Sequence, residues 1–230
     1  IFERDGKDIL IKVKVPNQNS GRKDHSANLE IRVPAGSSLD VGTVSADMEV
    51  EGVMGEQELQ SVSGDVTTQA FAADIDAGTV SGDVEVEANN GKASGAWALS
   101  TVSGDIVAIG LSGEIEANVV SGDIRVVGGG FSRARMETVS GNVKFSAALA
   151  DGGKLAMESV SGNVDVEFQG DVSARFDVES FSGRIKNCFG PKAERTSKYA
   201  PGVELSFTEG AGDGRVSLST LNGNIEICKR

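Results

Sequence analysis

Aromatic side chains make up only 5% of this 230-residue chain, and it has 4 prolines, 2 cysteines and a single histidine. With so few aromatics, a core has to be built mainly from small and β-branched side chains. The scarcity of proline, set against 30 glycines, excludes collagen-like and Pro-rich disordered sequence and leaves a chain with many turns. Basic residues are also in the minority, 22 Lys and Arg against 34 Asp and Glu, for a formal charge of −12. Phosphate recognition needs clustered cations, so a nucleic-acid partner is excluded. No apolar run approaches the length of a membrane-spanning helix. The chain starts at Ile1 rather than Met, so any export signal is expected to have been lost upstream.

What is present is a repeat. Val-Ser-Gly-Asp or a close variant occurs at Val44–Asp47, Val62–Asp65, Val80–Asp83, Val102–Asp105 and Val120–Asp123. Copies ending in Asn follow at Val139–Asn142 and Val160–Asn163, and degenerate copies at Phe181–Arg184 and Leu221–Asn224. Successive steps are 18, 18, 22, 18, 19, 21, 21 and 40 residues, the last suggesting a rung without its motif. Apolar residues alternate on both sides of each copy: Ile75 and Ala77 before one, Val84 and Val86 after it. Period-two alternation means half-buried strands. Each repeat is therefore read as two short strands joined at a Ser-Gly-Asp corner, with Gly supplying the turn and Asp or Asn bonding nearby backbone. One repeat cannot bury its own apolar face, so copies must stack. The expected fold is all-β, a single-stranded parallel β-helix (β-solenoid) with about 18–22 residues per rung and capped ends. Right-handed winding is expected from the rule for parallel crossovers.

The ends differ from the middle. Residues 1–36 read as an N-terminal cap or truncated first rung, 37–188 as the regular solenoid, and 189–230 as an irregular segment and last rung. In the first, Ile9, Ile11, Val13 and Val15 alternate as one strand and Leu29, Ile31 and Val33 as another, joined by the polar stretch Pro16 to Ser26. In the last, which holds Tyr199, Val203, Leu205 and Phe207 alternate and suit the rung that lacks a motif. Cys188 and Cys228 each lie five residues after a motif glycine, Gly183 and Gly223. Their parity against Ile185 and Ile225 points both side chains outward. If their rungs are adjacent, the Cα atoms lie about one strand spacing apart, roughly 4.8 Å, inside disulfide range. Cys188–Cys228 is therefore a disulfide candidate, implying an oxidising compartment; two unrelated thiols are the alternative.

Other features are candidate sites. The acids Asp47, Asp65, Asp83, Asp105 and Asp123 could form a calcium ladder, but the paired glycines of calcium-binding β-helices are missing, and replacement by Asn142, Asn163, Arg184 and Asn224 suits turn-capping better. A nucleophilic Ser needs a positioned base, and His25 lies outside the repeats, so the Ser ladder reads as structural. Trp97 could stack on a sugar, yet it takes the position of Ile75 and Ile115 and reads as core. Asn89 to Gly95 forms a small polar protrusion. Rungs this short leave little room for the loop-built cleft of a glycosidase.

The repeated Thr/Ser-Val-Ser-Gly-Asp resembles a bacterial family of β-strand-repeat proteins labelled adhesins, a domain of unknown function. The segment Leu29 to Ser37 resembles the family's lead-in to its first rung, and the ending Asn187 to Pro191, with Thr220 to Ile225, resembles its versions from Gram-negative bacteria. The resemblance implies a β-helical fold and an exported, envelope-associated protein, with no site residues to carry over. The expected function is a non-enzymatic envelope or surface scaffold, an adhesin-like module without cofactor, meeting an unknown envelope component and able to pair end to end with itself. The alternative is a glycan- or calcium-binding module, and the third reading is a carbohydrate-active enzyme.

Overall fold

The computed structural model describes residues 2–13, 28–197 and 201–230. Two compact units divide at Val33 and Pro34. In the first, Phe2–Asp5 and Asp8–Ile11 form an antiparallel hairpin. Val13, expected to extend that strand, lies outside it, and 28–34 carries no strand. Leu29, Ile31 and Val33 stay exposed, because alternation supplies a face without supplying a partner strand. Val15, the stretch Pro16 to Ser26 with His25, and Tyr199 lie outside the described residues.

The second unit is a parallel β-solenoid. Each rung has a first arm ahead of the motif and a second arm after it. The first arms stack in the order Leu39–Ser45, Gln57–Ser63, Ile75–Ser81, Ala93–Ser103, Leu111–Ser121, then 131–140 and 154–161, all in parallel register. Inward side chains are fully buried in like-on-like columns, for example Val84, Ile106, Ile124, Val143 and Val164. Trp97 is 2% exposed between Ile75 and Ile115, and its indole N–H donates to the Ser112 carbonyl at 2.9 Å. The insertion in the 22-residue rung is a single 3₁₀ turn, Asn89–Gly91.

After that the stack leaves chain order. The strand that pairs with 154–161 is Gly214–Asn222, not Ala174–Ser182. Ala174–Ser182 pairs on the far side of Gly214–Asn222, and the second arms follow the same sequence. The final strands of the chain are thus threaded between two rungs that precede them. Val203–Glu209, expected as a rung without a motif, is instead an antiparallel strand on the outer edge of Ala174–Ser182. Its direction follows from the threading: the chain must run back across the end of the stack before it can re-enter one rung earlier. Phe207 stacks on Phe176 at 4.4 Å between ring centroids, and Phe189 packs on both, closing the core at that end.

The corner explains the motif. The Gly N–H donates to the next rung's Ser carbonyl, as Gly64 does to Ser81 at 3.0 Å. The Thr79 hydroxyl reaches back to the Gly64 carbonyl at 3.1 Å, and Thr101, Thr138, Ser159, Thr220 and Ser180 do the same one rung on. Each Asp or Asn accepts the next rung's backbone N–H through Oδ1, from Asp65 on Asp47 to Arg184 on Asn224. A Cβ on Gly104 would lie 1.9 Å from the Gly82 carbonyl oxygen. Exclusion by the neighbouring backbone, more than turn conformation, demands the glycine: a Cβ at Gly162, which has no left-handed φ, would lie 1.8 Å from the Gly141 oxygen.

A Gly104→Ala change must push two rungs apart and should cost about 3 kcal/mol, at the upper end of overpacking effects. Val102→Ala, on a half-exposed side chain, should stay within about 0.5 kcal/mol. Urea unfolding of the two variants gives the comparison, and equal costs would refute the stacking account.

Candidate interaction face

With the inward positions filled, chemistry can reside only on the outward ones. Along each first arm these form four parallel columns, counted back from the corner. Nearest the corner is the motif residue itself. Val44, Val62, Val80, Val102, Val120, Val139, Val160, Leu221 and Phe181 follow one another up the stack, between 45% and 71% exposed. The sequence reading treated the motif as a corner and missed this apolar ladder. Parity alone could have found it, since Val80 is even-numbered whereas the inward Ile75, Ala77 and Thr79 are odd.

The next column carries no apolar side chain: Gly42, Gln60, Gly78, Ser100, Asn118, Glu137, Glu158, Ser219 and Glu179. Beyond it, Asp40, Glu58, Asp76, Ala98, Glu116, Arg135, Ala156, Ser217 and Asp177 follow. The outermost column reads Ser38, Glu56, Asp74, Ala96, Glu114, Arg133, Lys154, Arg215 and Arg175. Its sign reverses between Glu114 and Arg133, which are register partners. The two outer columns hold no cation below that point, and all five of their cations, Arg133, Arg135, Lys154, Arg215 and Arg175, stack above it. Arg215 meets Asp177 at 3.3 Å and Arg133 reaches Glu114 only at 3.9 Å. Arg135 pairs with Glu137.

Two shallow depressions follow these columns. A trough of about 1530 Å³ runs over the charged columns, from Asp40 to Arg215. A groove of about 770 Å³ follows the apolar ladder from Val102 to Phe181 and ends against Thr196, Gly202 and Val203. Neither gathers an acid and a base around one point. The corner acids proposed as a calcium ladder each have Oδ1 engaged by backbone, as described above.

Cys188 and Cys228 lie in adjacent rungs, next to the paired residues Asn187 and Ile227. Their sulfurs are bonded, with Cα atoms 4.9 Å apart. The two sulfurs and Glu226 form the one cluster of metal-ligating residue types found among the described residues, but bonded sulfurs are not thiolate ligands. Nearby, Lys229 donates to Asp171 at 2.6 Å. That hydrogen bond and the paired charges hold the Asp171 carboxyl below and the Lys229 ammonium above their ordinary ranges. Bond and ion pair together fasten the threaded strand.

The model of the Toastrack DUF4097 family matches residues 4–150 and again 113–228. The chain belongs to this family. The two matches overlap because a translational repeat can be laid on the same model in more than one register. Toastrack domains are β-helix-like and of unknown function, so the adhesin label in the resemblance does not come with membership. No curated protein matches the chain, and no solved structure does.

Cys188 and Cys228 close a loop with a sequence separation of 40, for which loop-closure entropy gives about 4 kcal/mol as an upper figure. Reduction, or Cys228→Ser, should lower stability by roughly 2–4 kcal/mol. Hydrogen exchange should place the loss in 174–229, leaving 57–121 protected. Uniform loss along the stack would show that the threaded strand needs no fastening.

Proposed function

We propose that this Toastrack chain is a non-enzymatic scaffold of the cell envelope or surface, working through the outer face of its first arms. The observation that carries this reading is the four-column face itself, where an apolar ladder and a sign-reversing charged trough run the length of the solenoid. A surface serving only solubility would scatter its charges and bury its valines. The disulfide supports an extracytoplasmic site, because such bonds persist in oxidising compartments. No helix among the described residues is long and apolar enough to cross a membrane.

A second reading, a glycan- or calcium-binding module, is favoured by one observation: the apolar groove is walled at one end by the C-terminal segment at Thr196, Gly202 and Val203. Both readings are tested by screening the immobilised chain against glycans and envelope components, with and without calcium. The scaffold reading expects calcium-independent binding that is lost in Val102→Glu/Val120→Glu at unchanged melting temperature. Calcium-dependent binding that survives those changes would establish the second reading. Turnover of any glycan would overturn both.

A further inference from the structure

We propose that the outer first-arm face pairs with the same face of a second copy, about a two-fold axis lying between the strands of Glu114 and Arg133. The proposal rests on the reading of this face as an interaction surface and names its partner.

A two-fold interface must be complementary to itself. An axis in the plane of the face, parallel to the strands, keeps every column opposite its own column and reverses the order of rungs. Placed between Leu111–Ser121 and 131–140, it sets Glu114 against Arg133 and Glu116 against Arg135. One rung outward, Ala96 meets Lys154 and Ala98 meets Ala156. Next, Asp74 meets Arg215, and then Glu56 meets Arg175. The reversal of sign in the outermost column is what this operation requires. One like-charged contact arises, Glu58 with Asp177, and Asp177 is already paired with Arg215 at 3.3 Å.

The same operation lays the apolar ladder on itself. Val120 meets Val139, Val102 meets Val160, Val80 meets Leu221, and Val62 meets Phe181, all of them exposed in the single chain. The polar column between opposes no two carboxylates: Asn118 meets Glu137, Ser100 meets Glu158 and Gln60 meets Glu179.

The area suits a stable pair. Eight strands at ~4.8 Å spacing, each presenting about seven residues at ~3.3 Å, make a footprint of roughly 890 Å², close to the ~800 Å² per partner of standard interfaces. The apolar ladder supplies the part that excludes water, and the charges fix the register. The second-arm faces and the ends of the stack remain free in such a pair.

The test is sedimentation equilibrium of the purified chain, up to about 100 µM, where a dimer of even ~10 µM Kd is well populated. The wild-type chain is expected to dimerise, more weakly as salt is added. Val120→Lys/Val139→Lys should weaken the dimer at least about tenfold. Arg133→Glu/Arg135→Glu and Glu114→Arg/Glu116→Arg should each be monomeric alone and form a heterodimer when mixed, because each supplies the sign the other lost. That rescue excludes a folding defect as the cause. A monomer at every concentration overturns the pairing and leaves the binding screen to judge the face. A dimer indifferent to these changes, as end-to-end association would be, also overturns it, and so does a mixture that stays monomeric.

Discussion

The structure depends on how closely one rung's backbone lies on the next at the corner. Backbone pairing continues through the turn. It does so because a glycine carbonyl sits where the next rung's Cβ would be. The Thr or Ser hydroxyl behind it donates to the preceding rung and the Asp or Asn side-chain oxygen ahead of it accepts from the following one, so each corner completes its neighbours. Backbone groups left unpaired between such closely apposed rungs would be costly, and here the motif pairs them. Register follows from that, and the like-on-like columns of the core follow from register.

The same constraint explains where the motif is allowed to fail. Ala46 stands in the glycine position of the first corner, and among the described residues no rung lies beneath it for its methyl group to strike. Arg184, whose guanidinium cannot accept, stands in the Asp position of the last corner, and among the described residues no further rung presents an N–H there. Asn222-Gly223-Asn224, which comes last in the chain, keeps both requirements, because in the stack it is internal. Sequence order and stacking order part company at the C-terminus, and the motif follows stacking order.

This marks the limit of what could be read beforehand. Alternation around Ile75 to Val86 and the spacing of the corners gave the solenoid and its inward columns directly. They also made adjacency of the rungs of Cys188 and Cys228 one of two options. They could not give the threading, because nothing local distinguishes Val203, Leu205 and Phe207 as an antiparallel edge from the same residues as a rung; the difference lies in which strand they meet. Nor could Leu29, Ile31 and Val33 show that no strand meets them among the described residues. The outer face was legible in principle, since parity assigns Val80 and its equivalents outward. It was overlooked because valine in a strand is ordinarily taken as core.

That habit also supplies the main rival account of the apolar ladder, that valine stands there only for its strand propensity. The neighbouring column argues against it. Gly42, Gln60, Gly78, Ser100 and Asn118 stand in the same strands, two residues away, and none carries an apolar or β-branched side chain. Propensity would act on both columns. Leu221 argues further, because it is not β-branched and yet keeps the apolar character where valine is lost. Half-exposed along the whole stack, the ladder amounts to on the order of 600 Å² of apolar surface, the upper end of what monomers tolerate. A surface of that size beside a trough whose charge changes sign at its midpoint is better explained by a partner than by the strand that carries it.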